Sequence, residues 1–195
     1  MKHAYKVLLT LVVVGVVGAT LRGTYSAFSS TTSSSGNAFS AGSVVLGDND
    51  ANAALLSLSN AKPGSSSTGC ITVTYTGSLA ATVRLYASVT GSLAQYLTLT
   101  VTRGTDSAPS FNSCTNFAAD STNYIGSGPG VVYSGLLSAF PTTYAGGLVD
   151  PTSGSPASWA TSEAHSYKFV VSLNDNNAAQ GLSSNASFTW EAQNQ

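Results

Sequence analysis

The sequence predicts an all-β protein: a single antiparallel, jelly-roll-like β-sandwich with short helical turns in its loops. Three observations carry that expectation. Apolar and hydroxyl residues alternate with a period of two in run after run, as in strands that set one face on a core. The runs are rich in Val, Thr, Ile, Phe and Tyr, whose branched or aromatic side chains suit a pleated, half-buried surface. Between them lie stretches of Gly, Pro, Asn and Ser that favour turns.

In chain order, "NAFSAGSVVL" (37–46) is expected to open the core as its first strand. After the turn signal "KPGSSSTG", the run "CITVTYT" (70–76) sets Ile71, Val73 and Tyr75 against Cys70, Thr72 and Thr74. Past "TGS", "ATVRLYAS" (81–88) sets Val83, Leu85 and Ala87 against Thr82, Arg84 and Tyr86. "SLAQYL" (92–97) suits a helical turn, and "LTLTVTR" (97–103) then places Leu97, Leu99 and Val101 on one face. Residues 103–130 read as irregular loop, and "SGLLSAF" (134–140) as a second helical turn. The turn signals "AGG" and "DPTSGSP" lead to "YKFVVSL" (167–173), with Tyr167, Phe169, Val171 and Leu173 on one side. Past "NDNN", "SFTWEA" (187–192) aligns Phe188, Trp190 and Ala192. No internal repeat is present, so residues 37–195 are expected to form one sandwich domain.

The N-terminus suggests where this domain works. "MKHAYK" is a positive n-region, and "VLLTLVVVGVV" (7–17) is an apolar run of signal-peptide length, short of the about 20 residues a spanning helix needs. Thr24 and Ser26 supply small residues at −3 and −1 of a cut between Ser26 and Ala27, which makes residues 1–26 a signal peptide. An uncleaved anchor is the alternative. A pilin-like N-terminal helix is a third reading, but it would have to continue through "SSTTSSSG", a poor helix former.

Composition excludes further classes. Only 8% of residues are charged, and three of the seven basic ones precede residue 27, which leaves four against eight acidic ones. A chain so short of Lys and Arg has no patch with which to neutralise phosphates, so no nucleic-acid partner is expected. Solubility has to come from hydroxyls and amides, as suits an extracellular β-protein. Two cysteines follow the signal peptide, Cys70 and Cys114. An even pair in an exported chain reads as a disulfide, with two buried thiols as the alternative; their spacing fits no CxxC redox or zinc motif.

Residues that could carry chemistry are few. The expected mature chain has one histidine, His165, in "TSEAHSYKF", beside Glu163. Zinc hydrolysis of the usual kind needs two histidines and a carboxylate, commonly as HExxH on a helix, and that motif is absent. His165 reads as plain surface near a strand entry. Neither a GxSxG elbow nor a phosphate-cradling glycine loop is present. Asp48, Asp50 and Asp175 are spaced loosely like calcium ligands but lack the full loop pattern, so they read as turn formers. "NAS" at 185–187 fits the N-glycosylation triplet. No catalytic residue, metal ligand or cofactor site is expected.

Three blocks in order resemble the TasA/camelysin family. The first is "GTYSAFSSTTSSSGNAFSAGSVVL", with an "AF" pair after the expected cut and the element Asn37, Phe39, Ala41, Gly42. The second runs through "KPGSSSTGCITVTYTGSL" by Pro63, Gly64, Gly77, Ser78 and Leu79, with Tyr75 where Asn is usual. The third, "NNAAQGLSSNASFTWEA", matches by Asn177, Gln180, Gly181, Phe188, Trp190 and Ala192. The resemblance implies a secreted jelly-roll subunit of extracellular biofilm-matrix fibres, freed by a SipW-type signal peptidase. It implies head-to-tail filaments of identical copies, joined by a donor strand, with matrix or anchoring proteins as further partners. The donor strand would be Ala27, Phe28, Ser29, Ser30, Thr31, Thr32, Ser33, Ser34 and Ser35, a segment with no proline and no charge. From composition alone, residues 27–36 equally suit a disordered linker. Camelysins are surface metalloproteases, so proteolysis is a second expectation. A monomeric adhesion module using Tyr124, Tyr133, Tyr144 and Trp159 is a third.

Overall fold

The computed structural model of the chain describes residues 43–51, 53–150 and 158–194. The expected signal peptide, the Ser26–Ala27 cut, the donor segment from Ala27 to Ser35 and the element Asn37–Gly42 lie outside them. Nine strands are described: β1 (Leu46–Asp48), β2 (Ser66–Tyr75), β3 (Ala81–Thr90), β4 (Leu97–Asp106), β5 (Phe117–Ala119), β6 (Val131–Leu136), β7 (Leu148–Asp150), β8 (Ala164–Leu173) and β9 (Asn185–Asn194). Only three short 3₁₀ turns interrupt them, at Ser92–Tyr96, Leu137–Ala139 and Asn177–Ala179. Among the described residues no helix is long and apolar enough to cross a membrane.

The protein is an all-β sandwich of two antiparallel sheets. The first runs β1-β2-β8-β4, with β5 and β6 sharing the far edge of β4; the second runs β7-β3-β9. The chain changes sheet between β2 and β3, between β3 and β4, between β6 and β7, and again on either side of β8. Alternation puts the expected faces inward. Ile71, Val73, Tyr75, Leu99, Val101, Tyr167 and Phe169 of the first sheet pack on Ala81, Val83, Leu85 and Ala87 of the second. Aromatic rings join the layers: Phe169 lies 4.7 Å from Phe188 and 5.9 Å from Trp190, and Tyr167 lies 5.3 Å from Trp190.

The stretch expected to be loop, 103–130, differs. β4 continues to Asp106, and Phe117–Ala119 returns to pair with it, with Gly104 opposite Ala119. Gly104 is what lets the strand continue there, because a Cβ would overlap the Ala118 carbonyl. Residues 107–116 remain loop and are fastened to the outer face of the first sheet by the Cys70–Cys114 disulfide, whose Cα atoms are 5.2 Å apart. The Asn112 N–H also donates to the Cys70 carbonyl. With the cysteines 44 positions apart in sequence, loop closure contributes about 4 kcal/mol in the chain-entropy account. "SGLLSAF" divides: Ser134 to Leu136 complete β6, and only Leu137–Ala139 turns. The first paired strand is likewise short, and begins only at Leu46.

Candidate assembly cleft

β9 is the element on which the candidate site is built. It is ten residues long, contains no proline and pairs with β3 along its whole length, from Thr90–Asn185 to Ala81–Asn194. Among the described residues no strand pairs with its other edge. Its row of N–H and C=O groups there is of the kind an extended segment can satisfy.

Facing that edge is the segment that walls the first sheet. Ser43 hydrogen-bonds Ser78 and Leu79, β1 pairs with Tyr75 to Val73, and residues 53–58 then run past the start of β2. The Ser57 N–H donates to Ser67 Oγ at 3.3 Å. Gly69 lets this wall close on β2, because a Cβ there would overlap the Leu55 carbonyl. Leu55, Leu56 and Leu58 consequently stand half-buried opposite β9.

Two adjoining cavities open between wall and edge. One, of about 180 Å³, is lined mainly by Leu55, Leu56, Leu58, Leu93, Leu97 and Phe188. The other, of about 190 Å³, is lined by Leu46, Gly47, Asp48, Val73, Phe188, Thr189 and Trp190. Phe188 lines both, so the two lie side by side along β9. An apolar cavity near 150 Å³ is large enough to admit a benzene ring; each half therefore has room for a side chain from outside. Asp48 supplies the charge in the second cavity. Burial pushes its carboxyl above its ordinary value, the Asp50 N–H pulls the other way, and the Asp50 carboxylate adds to the rise.

The sequence did not signal a second feature, a polar cluster between the sheets. Arg103 Nε reaches Asp150 Oδ1 at 2.6 Å, Nη1 reaches Asp120 and Tyr124, and Nη2 donates to His165. His165 also lies 3.3 Å from Asp150 and 3.1 Å from Glu163, with its ring 4.2 Å from that of the fully buried Trp159. Tyr167 completes the group by donating to Asp150. Burial alone would lower the Arg103 pKa, but the Asp150 and Asp120 carboxylates outweigh it and hold the guanidinium above its ordinary value. Burial and the Asp150 carboxylate raise the Tyr167 phenol. Because β4 and β8 belong to one sheet and β7 to the other, the network pins the sheets together.

This placement corrects the surface reading of His165, whose side chain is only 12% exposed. Strand alternation turns it inward, and its partners lie up to 62 residues away, too far for local pattern to reveal. No protein-family model matches this chain, and no curated protein matches it. Among the described residues no group of three or more His, Cys, Asp or Glu is arranged to hold a metal ion. The Asp48 carboxylate accepts from the Asp50 N–H, as in a turn, and Asn49 Oδ1 accepts from the Thr72 N–H across the β1–β2 pair.

The aromatics offered for an adhesive surface have structural partners as well. Trp159 is core, and Tyr124 belongs to the Arg103 network. Tyr133 packs 4.7 Å from Phe140, and Tyr144 lies under Arg84 and donates to the Thr82 carbonyl.

Proposed function

We propose that this chain is a secreted, self-assembling subunit of extracellular matrix fibres, in which residues 27–35 of one copy occupy the β9 cleft of the next. One observation carries the reading: a ten-residue strand edge without a strand partner among the described residues, set over two cavities large enough for side chains. An inserted strand would meet the β9 hydrogen-bonding groups and fill space where the core lacks contacts. The uncharged segment from Ala27 to Ser35 suits that role: Phe28 is bulky and apolar, and the small Ser and Thr side chains fit a narrow cleft. The Cys70–Cys114 disulfide is of the kind that exported proteins keep. Repeated head to tail, the interaction is heterologous and builds an open filament rather than a closed ring or dimer.

Electron microscopy of the secreted, processed protein beside a variant lacking residues 27–35 tests the proposal. Filaments are expected from the first and none from the second. A free peptide of residues 27–36 should restore the thermal stability of the truncated protein without restoring filaments, because a peptide has no body to continue the chain. Filaments that persist without residues 27–35 would overturn the reading.

A further inference from the structure

The disulfide loop and the Leu-rich wall opposite β9 meet at one residue, Gly69 of β2. Alternation puts Gly69 on the same face as Ile71 and Val73, toward the core, and Cys70 on the outer face. The strap of residues 107–116 is bonded to that outer face at Cys70, and its Asn112 N–H donates to the Cys70 carbonyl at 2.8 Å. From there its tip turns round the edge of β2. Asn112 makes the turn with φ of 63°, in the left-handed region that Asn tolerates better than most residues. Its Oδ1 then shares with the Leu55 carbonyl and the Leu55 Cδ1 the space that a Gly69 Cβ would fill. Phe111, next to it, is half-buried against the core.

The wall has few ties of its own. Pairing between β1 and β2 stops at Val73. Among the described residues, 54–58 are linked to β2 by one hydrogen bond, from the Ser57 N–H to Ser67 Oγ at 3.3 Å. Leu55 therefore keeps its place by packing, and Asn112 is what the strap adds to that packing.

We propose that the Cys70–Cys114 disulfide is a redox-sensitive latch on the cleft. While it is closed, the strap tip holds Leu55 against Gly69 and keeps the wall in place opposite β9. When it opens, strap and wall loosen together. Half-exposed Cys114 is where a dithiol reductant enters. Its thiolate attacks Cys114 Sγ, the S–S bond breaks, and Cys70 leaves with the electron pair as a thiolate. The second thiol then closes the reductant's own disulfide and releases Cys114, and the reductant's two protons pass to the two cysteines. Such bonds persist outside the cell and are kept reduced in the cytosol, so an exported chain completes its wall only after export. The effect on assembly rests on the fibre reading above; the latch itself does not.

Limited proteolysis of the processed protein, with a protease that cuts beside large apolar residues, tests the latch. The first cuts are mapped by mass spectrometry in oxidised and dithiol-reduced samples. Reduction should speed cleavage within residues 55–58, as well as at Phe111, by about tenfold, since cleavage follows the population of the locally open form. β3, β8 and β9 should stay uncut. Asn112→Gly keeps the disulfide and suits the left-handed φ but removes the side chain beside Leu55. It should speed cleavage within 55–58 without any reductant. Faster cleavage at Phe111 with the wall unchanged would overturn the latch. So would a wall as resistant in Asn112→Gly as in the parent, even where reduction unfolds the whole domain. In electron micrographs the reduced protein should lose its filaments. Filaments that persist over a loosened wall would remove the cleft from the fibre reading and leave the latch standing.

Discussion

The two long sides of the sandwich are built in different ways. On one side the chain leaves β6 in the first sheet, turns at Leu137–Ala139 and reaches β7 in the second, so a covalent crossing sews the layers together. Phe140, 2% exposed, plugs that seam against Tyr133 and Phe188, and the Ala87 N–H donates to the Pro141 carbonyl. On the other side the wall of residues 43–58 stays with the first sheet, and β9 ends the second. The layers meet there across cavities rather than across a plug. Phe188 belongs to both sides, with its ring 5.5 Å from Phe140 and its face in the cleft. A sandwich can thus complete its core on one side and leave the other side to be completed from outside.

Substitutions should separate the two sides, and the largest effect is expected at the Arg103 network. Arg103→Met leaves the Asp120 and Asp150 carboxylates without their cation. Breaking one partner of a buried pair costs about 3–5 kcal/mol, read as a fall in the urea midpoint. A cost below about 1 kcal/mol would mean that the network is not what pins β7 to the first sheet. Next comes a paired comparison. Phe140→Ala on the sewn side should cost about 3–5 kcal/mol, because it empties a closed site. Leu56→Ala on the cleft side should cost only about 1 kcal/mol, since a half-buried side chain leaves no new cavity behind. Equal costs from the two would erase the distinction between the sides.

Two smaller effects probe the cleft alone. Ala186 is exposed and lines the Leu-rich cavity, so Ala186→Trp fills it from within. Unfolding free energy should move by no more than about 0.5 kcal/mol, while filament formation is lost in electron micrographs. Normal filaments from this variant would place the contact elsewhere. The smallest effect concerns Asp48. Its carboxyl is raised above 3.8 in the folded protein, so the ionised form is disfavoured there. Stability from this group is present below the ordinary value and is lost as pH rises through the folded one. Asp48→Asn should therefore be more stable than the parent near neutrality, by at most about 0.5 kcal/mol. That advantage should vanish in acid; thermal melts across the acid range would show a constant offset if Asp48 were unperturbed.

Much of the architecture was legible in the residues. Period-two alternation identified which side chains of β2, β3, β4 and β8 face inward, because a pleated strand sends successive side chains to opposite faces. The disulfide followed from a single cysteine pair after an expected signal peptide. The turn at Ser92–Tyr96 was visible too. "GTD" (104–106) looked like loop because Gly104 and Asp106 are poor strand formers, yet pairing with β5 and β8 holds it in the sheet. The Arg103 cluster had no local signature, since its members come from β4, the loop after β5, the end of β7 and the start of β8.

By itself, the sequence determined that this chain makes strands, which faces those strands bury, and that an uncharged, proline-free segment precedes the domain. Those properties are local: they depend on φ/ψ preference, on alternation and on composition. Tertiary structure alone decided how the strands divide between two sheets, which edge remains without a partner, and where the chain enters relative to it. Strand alternation fixes a face but names no neighbour, and an edge exists only once every other strand has found its place. The unpaired edge of β9 among the described residues is a consequence of that division.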